Sequence, residues 1–145
     1  MKIKMIGLKK LKIFLVFAIS LAIYNSVDSQ TNCNLDNAIS SGYLESPIFD
    51  LGNFYNITKI SWYGERNDDN LVGFQIASSI SSSGPWIFYG SNFSNDYIDI
   101  NPYQTYSLSN SPHRGIRYFK YKILLATCNE FSSPRVDKII IYYSK

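Results

Sequence analysis

Hydrophobic and polar residues alternate with a period of two along most of the chain after residue 42. The alternation is clearest in four runs: residues 57–65, 71–79, 117–127 and 136–144. Such a period predicts β-strands that turn one face to a core and the other to water. In the run 117–127, for example, Phe119 and Tyr121 share one face, while Lys120 and Lys122 share the other.

Clusters of Gly, Pro, Asn, Asp and Ser separate these runs, and no long helical period interrupts them. Weaker strands are predicted at residues 43–52, 86–90, 96–102 and 104–109. Seven or eight such strands predict an all-β fold, an antiparallel two-sheet β-sandwich of the jelly-roll kind. Pro47 cannot donate to a strand ladder, so 43–52 is predicted to be an edge strand, which can pair with another chain in self-assembly.

The first 29 residues have the pattern of a secretory signal peptide. Five lysines precede or border an apolar run over residues 13–24, and Val27 and Ser29 occupy the −3 and −1 positions of a cleavage site. Twelve helical residues span about 18 Å, less than the roughly 30 Å hydrocarbon core of a bilayer. We therefore predict a helical signal peptide at 1–29, one domain at 30–145, and no stable membrane span after cleavage.

Removal of the leader reverses the sign of the net charge. The full chain has 14 Lys and Arg, 11 Asp and Glu, and a formal charge of +3. The leader holds five of the basic residues and one of the acidic residues, which leaves nine and ten and a formal charge of −1. The basic character therefore belongs to the leader and is no argument for binding nucleic acid.

Both cysteines of the chain, Cys33 and Cys128, lie after the leader. An even cysteine count in an exported chain favours a disulfide over a metal site or a reactive thiol. With one histidine in addition, the chain also lacks the ligands of a structural zinc site. We predict the bridge Cys33–Cys128.

The order of several short motifs resembles that of a known kind of module. These motifs are "SPIFDLG", "ISW", "VGFQIASS", "SGPWIFYG", "RYFKYKILLAT" and "SPRVDKIIIYYS". Together they resemble a β-sandwich module of exported bacterial surface proteins and pilin-like proteins, distantly similar to discoidin-like, galactose-binding-like jelly rolls. The resemblance covers roughly residues 42–144, and it implies a non-enzymatic role in adhesion, assembly or glycan contact.

No catalytic constellation is visible in the sequence. The only histidine, His113, lies in a loop of turn-forming residues, without an acid or a nucleophile marked beside it. The carboxylates are scattered among loops and strand ends, and nothing makes two of them converge as glycoside hydrolysis requires. We predict that the protein is not an enzyme.

One loop has the chemistry of a weak calcium site. The segment "ERNDDN" supplies carboxylate and amide oxygens from Asp68, Asp69 and Asn70, and Ca²⁺ takes six to eight oxygen ligands. The same residue types also form ordinary hairpin turns. Calcium is the only cofactor that the sequence raises.

Aromatic residues are the candidate ligand-binding residues. The stretch 83–97, "SGPWIFYGSNFSNDY", carries one Trp, two Phe and two Tyr among turn formers. Aromatic rings bind sugars by stacking on their C–H faces, and they also pack cores. The residues predicted to contact a ligand are Trp86, Tyr89, Tyr97, Tyr103 and Tyr106. A role in strand and core packing is the competing interpretation, for Trp86 and for the tyrosines alike.

These observations predict a secreted or cell-surface interaction module that binds a glycan or another surface protein. The alternative is a pilin-like or pseudopilin subunit that retains its N-terminal apolar segment. An enzyme is the third hypothesis, and carboxylates that meet in one cleft would favour it.

Overall fold

The computed structural model describes residues 33–91, 94–108 and 112–145, together with the backbone of residues 2–7. Its strands are β1 (Lys2–Gly7), β2 (Ser40–Glu45), β3 (Phe49–Glu65), β4 (Asn70–Ser79), β5 (Ile98–Asp99), β6 (Thr105–Ser107), β7 (Ile116–Thr127) and β8 (Arg135–Ser144). Within these described ranges, no helix has the length and hydrophobicity needed to cross a membrane.

All strand pairs are antiparallel, and the sheet order is β1-β8-β3-β7-β4-β5. The 17-residue strand β3 pairs first with β7 and then with β8. One edge of the sheet is β4, and the other is the later part of β3, beyond the residues that pair with β7. Residues 98–108 connect these two edges, because β5 pairs with β4 and β6 pairs with the later part of β3. The sheet is thereby nearly closed into a barrel.

The predicted all-β, antiparallel fold is confirmed, whereas its division into two separate sheets is not, because β3 belongs to both halves. The four clearest alternating runs correspond to the later part of β3 and to β4, β7 and β8. Of the predicted signal helix, residues 2–7 form strand β1 paired with β8, and the apolar run 13–24 lies outside the described residues.

The core fills the space between the strands with the inward residues of the alternating runs. The side chains that are fully buried, at 0% exposure, include Ile60, Trp62, Val72, Phe74, Ile76, Ile98, Phe119, Ile139 and Ile141. Burying one such side chain contributes roughly 1.5–3 kcal/mol. Burial of these side chains therefore fixes the pairing register of the strands, because a shift of one residue would expose each of them to water.

The predicted edge strand 43–52 is split in two. β2 ends at Glu45 and β3 begins at Phe49, with Pro47 in the gap. Ser46 bridges the gap, because its backbone N–H donates to the Tyr121 carbonyl and its Oγ accepts from the Tyr121 N–H, both at 2.9 Å. Among the described strands β2 pairs only with β7, so it lies at an edge as predicted.

The weaker predicted strands are short or absent. Residues 96–102 reduce to β5, and residues 86–90 form a single bridge between Tyr89 and Ile76. Of the predicted strand 104–109, residues 104–108 are described, and they contain only β6. These segments are rich in turn-forming residues, which shorten the ladders.

Candidate functional site

The described parts of the aromatic-rich stretch, residues 83–91 and 94–97, lie across the outer face of β4. Because Phe74 and Ile76 point into the core, their neighbours Gly73 and Gln75 point outward. The side-chain Nε2 of Gln75 donates to the carbonyl of Asn95 at 2.6 Å. A Cβ at Gly73 would lie 2.7 Å from the Cβ of Tyr97, so only glycine allows this close approach.

Aromatic rings and lysines alternate over the neighbouring strand β7. The Lys120 Nζ lies 5.8 Å from the ring centroid of Trp86 and 5.9 Å from that of Phe88. The Lys122 Nζ lies 4.3 Å from Phe88 and 5.3 Å from the ring of Tyr43. We call these five residues the aromatic–lysine ladder. Each cation–π contact contributes about 0.5–1 kcal/mol of favourable interaction energy at an exposed site. The ladder therefore stabilises the packing of this stretch against the sheet.

The five aromatic residues predicted to bind ligand are not gathered at one place. Trp86 and Tyr97 are half-buried on the outer face of the sheet. Tyr89 faces His113 with 6.2 Å between ring centroids, and Tyr106 packs against the core. Of the five, only Tyr103 is largely exposed, at 70%. Their ligand contacts remain a prediction, and the geometry favours Tyr103 for that role.

Tyr103 is held in an unusual conformation at the surface. Its φ is +66°, the left-handed region that non-glycine residues adopt uncommonly and that carries strain. Its backbone N–H donates to the Trp62 carbonyl at 2.8 Å. Its ring meets that of Tyr63 edge-on, at 5.1 Å between centroids, and the Lys138 Nζ lies 5.0 Å from the Tyr63 ring. The Tyr63–Tyr103 pair thus presents a fixed aromatic surface.

The predicted disulfide is confirmed: Cys33 and Cys128 are bonded, with their Cα atoms 5.6 Å apart. The acidic turn between β3 and β4 supports both cysteines through its backbone. The Asp68 carbonyl accepts from the Cys33 N–H at 3.4 Å, and the Asp69 carbonyl accepts from the Cys128 N–H at 2.8 Å. This turn therefore has a structural task that the sequence did not reveal.

The side chains of the predicted calcium ligands are partly engaged as well. The Asp69 Oδ2 accepts from the Asn129 amide at 3.0 Å, and the Asn70 Nδ2 donates to the Ser132 Oγ at 2.9 Å. Within the ranges that the structure describes, no three residues of the types His, Cys, Asp and Glu are placed to hold a metal. Calcium binding by Asp68, Asp69 and Asn70 remains a prediction.

A polar cavity of about 280 Å³ opens beside this turn. It is lined by Cys33, Arg66, Asn67, Asp68, Asn70, Leu71, Asp99 and Asn101. Arg66 fixes one wall, since its guanidinium donates to the Asp99 carboxylate at 2.5 Å and to the Asn101 Oδ1 at 2.6 Å. The cavity thus joins the β3–β4 turn to the segment that carries Tyr103.

His113 is buried, at 2% exposure, and its Nδ1 is 2.7 Å from the Oγ of Ser78. Burial lowers the pKa of His113 to about 4, so the imidazole is neutral at physiological pH. His113 does not line the polar cavity. A general base must lie within hydrogen-bonding distance of the proton that it abstracts. A substrate in solvent cannot come that close to a ring that is 2% exposed, so the geometry favours a structural role for His113.

The buried imidazole predicts that acid destabilises the fold. The pKa is near 6.5 in the unfolded chain and about 4 in the folded protein, so between these values the unfolded state binds more protons. The contribution is complete above pH 6.5 and is lost as the pH falls towards 4, for a total of about 3 kcal/mol. We expect urea denaturation to show this loss in the wild type and a smaller loss in His113→Gln. Equal loss in both proteins would contradict the assignment.

Comparison with known proteins gives no family for this chain. No family model, no curated protein and no solved structure matches it.

Sequence reasoning missed five of the residues that line the cavity: Arg66, Asn67, Leu71, Asp99 and Asn101. Arg66 and Asp99 are 33 residues apart, and no spacing rule connects them. The one usable signal was the polar segment "ERNDDN", which marked the first wall of the cavity as a candidate metal loop.

Proposed function

We propose that this protein is an exported, non-enzymatic interaction module that contacts a glycan through exposed aromatic side chains, Tyr103 foremost. The observation that carries the proposal is the Tyr63–Tyr103 pair. Tyr103 is 70% exposed, it adopts a strained backbone conformation, and its ring is held against Tyr63. Strained residues and exposed aromatic residues both occur preferentially at binding sites.

Export is supported by the disulfide and by the pattern of the leader. Disulfides persist in oxidising compartments and are rare in the cytosol. We also propose that the strands have a jelly-roll-like arrangement and that the protein acts at the cell surface. Both points are suggested by the resemblance of the sequence to exported bacterial β-sandwich modules.

The non-enzymatic part of the proposal is supported by the state of His113. The only histidine of the chain is buried, neutral and in contact with Ser78 through Nδ1. A serine nucleophile needs a base whose other nitrogen is oriented by a third group beside an accessible reaction site. At 2% exposure the His113 ring offers no such reaction site.

Glycan binding is tested with Tyr103→Ala on an array of immobilised glycans. We expect binding to weaken about tenfold, because removing a central aromatic contact costs roughly 1–2 kcal/mol or more. Tyr43→Ala is the matched control, since Tyr43 is also 70% exposed but belongs to the aromatic–lysine ladder. Equal loss in the two variants would count against Tyr103, and binding to a surface protein without any array signal would replace the glycan by a protein partner.

One observation favours the pilin-like alternative. Strand β1 (Lys2–Gly7) pairs with β8 along six residues, so the N-terminal segment has a place in the sheet if it is retained. The intact mass of the native protein separates the two hypotheses. A chain that starts near Gln30 supports the secreted module, whereas a chain that keeps residues 13–24 and sediments with membranes or filaments supports the subunit.

A further inference from the structure

We infer that the polar cavity binds one neutral sugar unit through adjacent hydroxyl groups. This inference rests on the proposed function, because both assume a glycan ligand, but it concerns different residues. Tyr103 would contact the apolar face of a sugar, whereas the cavity would bind hydroxyl groups. An experiment can therefore disprove sugar binding in the cavity without disproving glycan contact by Tyr103.

The lining offers hydrogen-bonding groups that the fold does not consume. Amide side chains are part of the lining, since Asn67, Asn70 and Asn101 all border the cavity. Asp68 adds a carboxylate at the surface that has no hydrogen-bond partner among the described residues.

Arg66 brings hydrogen-bond donors to the lining. Arg66 uses N–H groups to hold Asp99 and Asn101, and a guanidinium has five of them in a fixed fork. With the side chain 17% exposed and held at two points, its remaining N–H groups have little freedom. A hydroxyl group both donates and accepts, so adjacent hydroxyls match a lining that contains carboxylates, amides and a guanidinium.

Charge argues for a neutral ligand. The lining has the two carboxylates of Asp68 and Asp99 and the one cation of Arg66, for a formal charge of −1. The excess of carboxylate would repel an acidic sugar, and the fixed guanidinium would repel a metal ion. A neutral sugar ring with hydroxyl groups avoids both repulsions.

Size limits the ligand to one residue of a glycan. Small-molecule pockets usually measure roughly 300–1,000 Å³, and about 280 Å³ lies just below that range. A longer glycan would extend out of the cavity, and Tyr103 lies two residues beyond Asn101 on the same segment.

The test uses protein recovered from expression of the full chain and four probes: the methyl glycosides of galactose, glucose, mannose and N-acetylglucosamine. Binding is followed by saturation-transfer NMR and quantified by titration. The variant is Asp68→Asn, and Glu130→Gln is its matched control, because Glu130 is an exposed carboxylate that does not line the cavity. Asn101→Ala is a second variant that leaves Asp68 in place.

We expect at least one glycoside to bind, with affinity reduced about tenfold by Asp68→Asn and by Asn101→Ala and changed less than about twofold by Glu130→Gln. Absence of binding by a folded protein, equal affinity in Asp68→Asn, or a requirement for Ca²⁺ would overturn the inference. Release of sugar from a nitrophenyl glycoside would also overturn it, because Asp68 and Asp99 would then act as a hydrolytic pair. Glycan-array binding that depends on Tyr103 but not on Asp68 would support the proposed function and contradict the inference that the cavity binds a sugar.

Discussion

Replacing Cys128 with serine is expected to lower the free energy of unfolding by about 4 kcal/mol. The bridge joins residues 95 positions apart, so it closes nearly the whole described domain into one loop. In the chain-entropy model, the stabilisation grows with the logarithm of the loop length and reaches about 4–5 kcal/mol near 100 residues. This approaches the total stability of many domains, so urea denaturation should show a much lower midpoint.

Cys33→Ser and the double variant Cys33→Ser/Cys128→Ser are the controls for this result. Both should match Cys128→Ser, because each removes the same covalent link, and reduction of the wild type should reproduce the effect. A loss below about 1 kcal/mol would show that the hydrogen bonds of the cysteines to the Asp68 and Asp69 carbonyls hold the two ends without the bridge.

Truncation of Trp62 to alanine should cost about 3–5 kcal/mol. Trp62 is 0% exposed, and its ring lies 6.0 Å from that of Phe74 in the core. Its Nε1 donates to the Ile100 carbonyl at 2.9 Å, which ties β3 to the segment that nearly closes the barrel. Both the cavity left in the core and the unpaired carbonyl therefore contribute, and thermal or urea unfolding measures their sum.

The other tryptophan of the chain provides the matched control. Trp86→Ala removes the same side chain from a half-buried position on the outer face, where it contacts Lys120, and should cost clearly less. Trp62→Phe keeps most of the volume but leaves the Ile100 carbonyl without its donor, for a cost of about 1–3 kcal/mol. Equal losses for the two tryptophan-to-alanine variants would contradict the packing described for β3.

The long strands were predictable because their alternation records burial directly. Residues 117–127 became β7 with Phe119 and Tyr121 inside, as the period of two required. By contrast, residues 86–90 look like a strand in isolation and form one bridge. Their position is decided by contacts of Trp86 and Phe88 with lysines more than 30 positions away, which no local pattern contains.

The site was less predictable than the fold for the same reason. The disulfide followed from a count of two cysteines in an exported chain, but the cavity depends on Arg66 reaching Asp99 and Asn101 across the sheet. The closure of the barrel by residues 98–108 produces that juxtaposition. Among the predicted aromatic residues, sequence alone could not separate the exposed Tyr103 from Tyr106, which packs against the core three positions later.

The most direct test of glycan contact by this module is an amide-resolved NMR titration of the labelled protein with the glycoside that binds best. We predict that shift changes concentrate at residues 66–71 and 99–103, which form the cavity and carry Tyr103. Changes centred on the stretch 83–97 and its lysines would place the binding surface on the aromatic–lysine ladder and contradict this assignment. No change with any of the four glycosides, together with no signal on the glycan array, would contradict glycan binding itself.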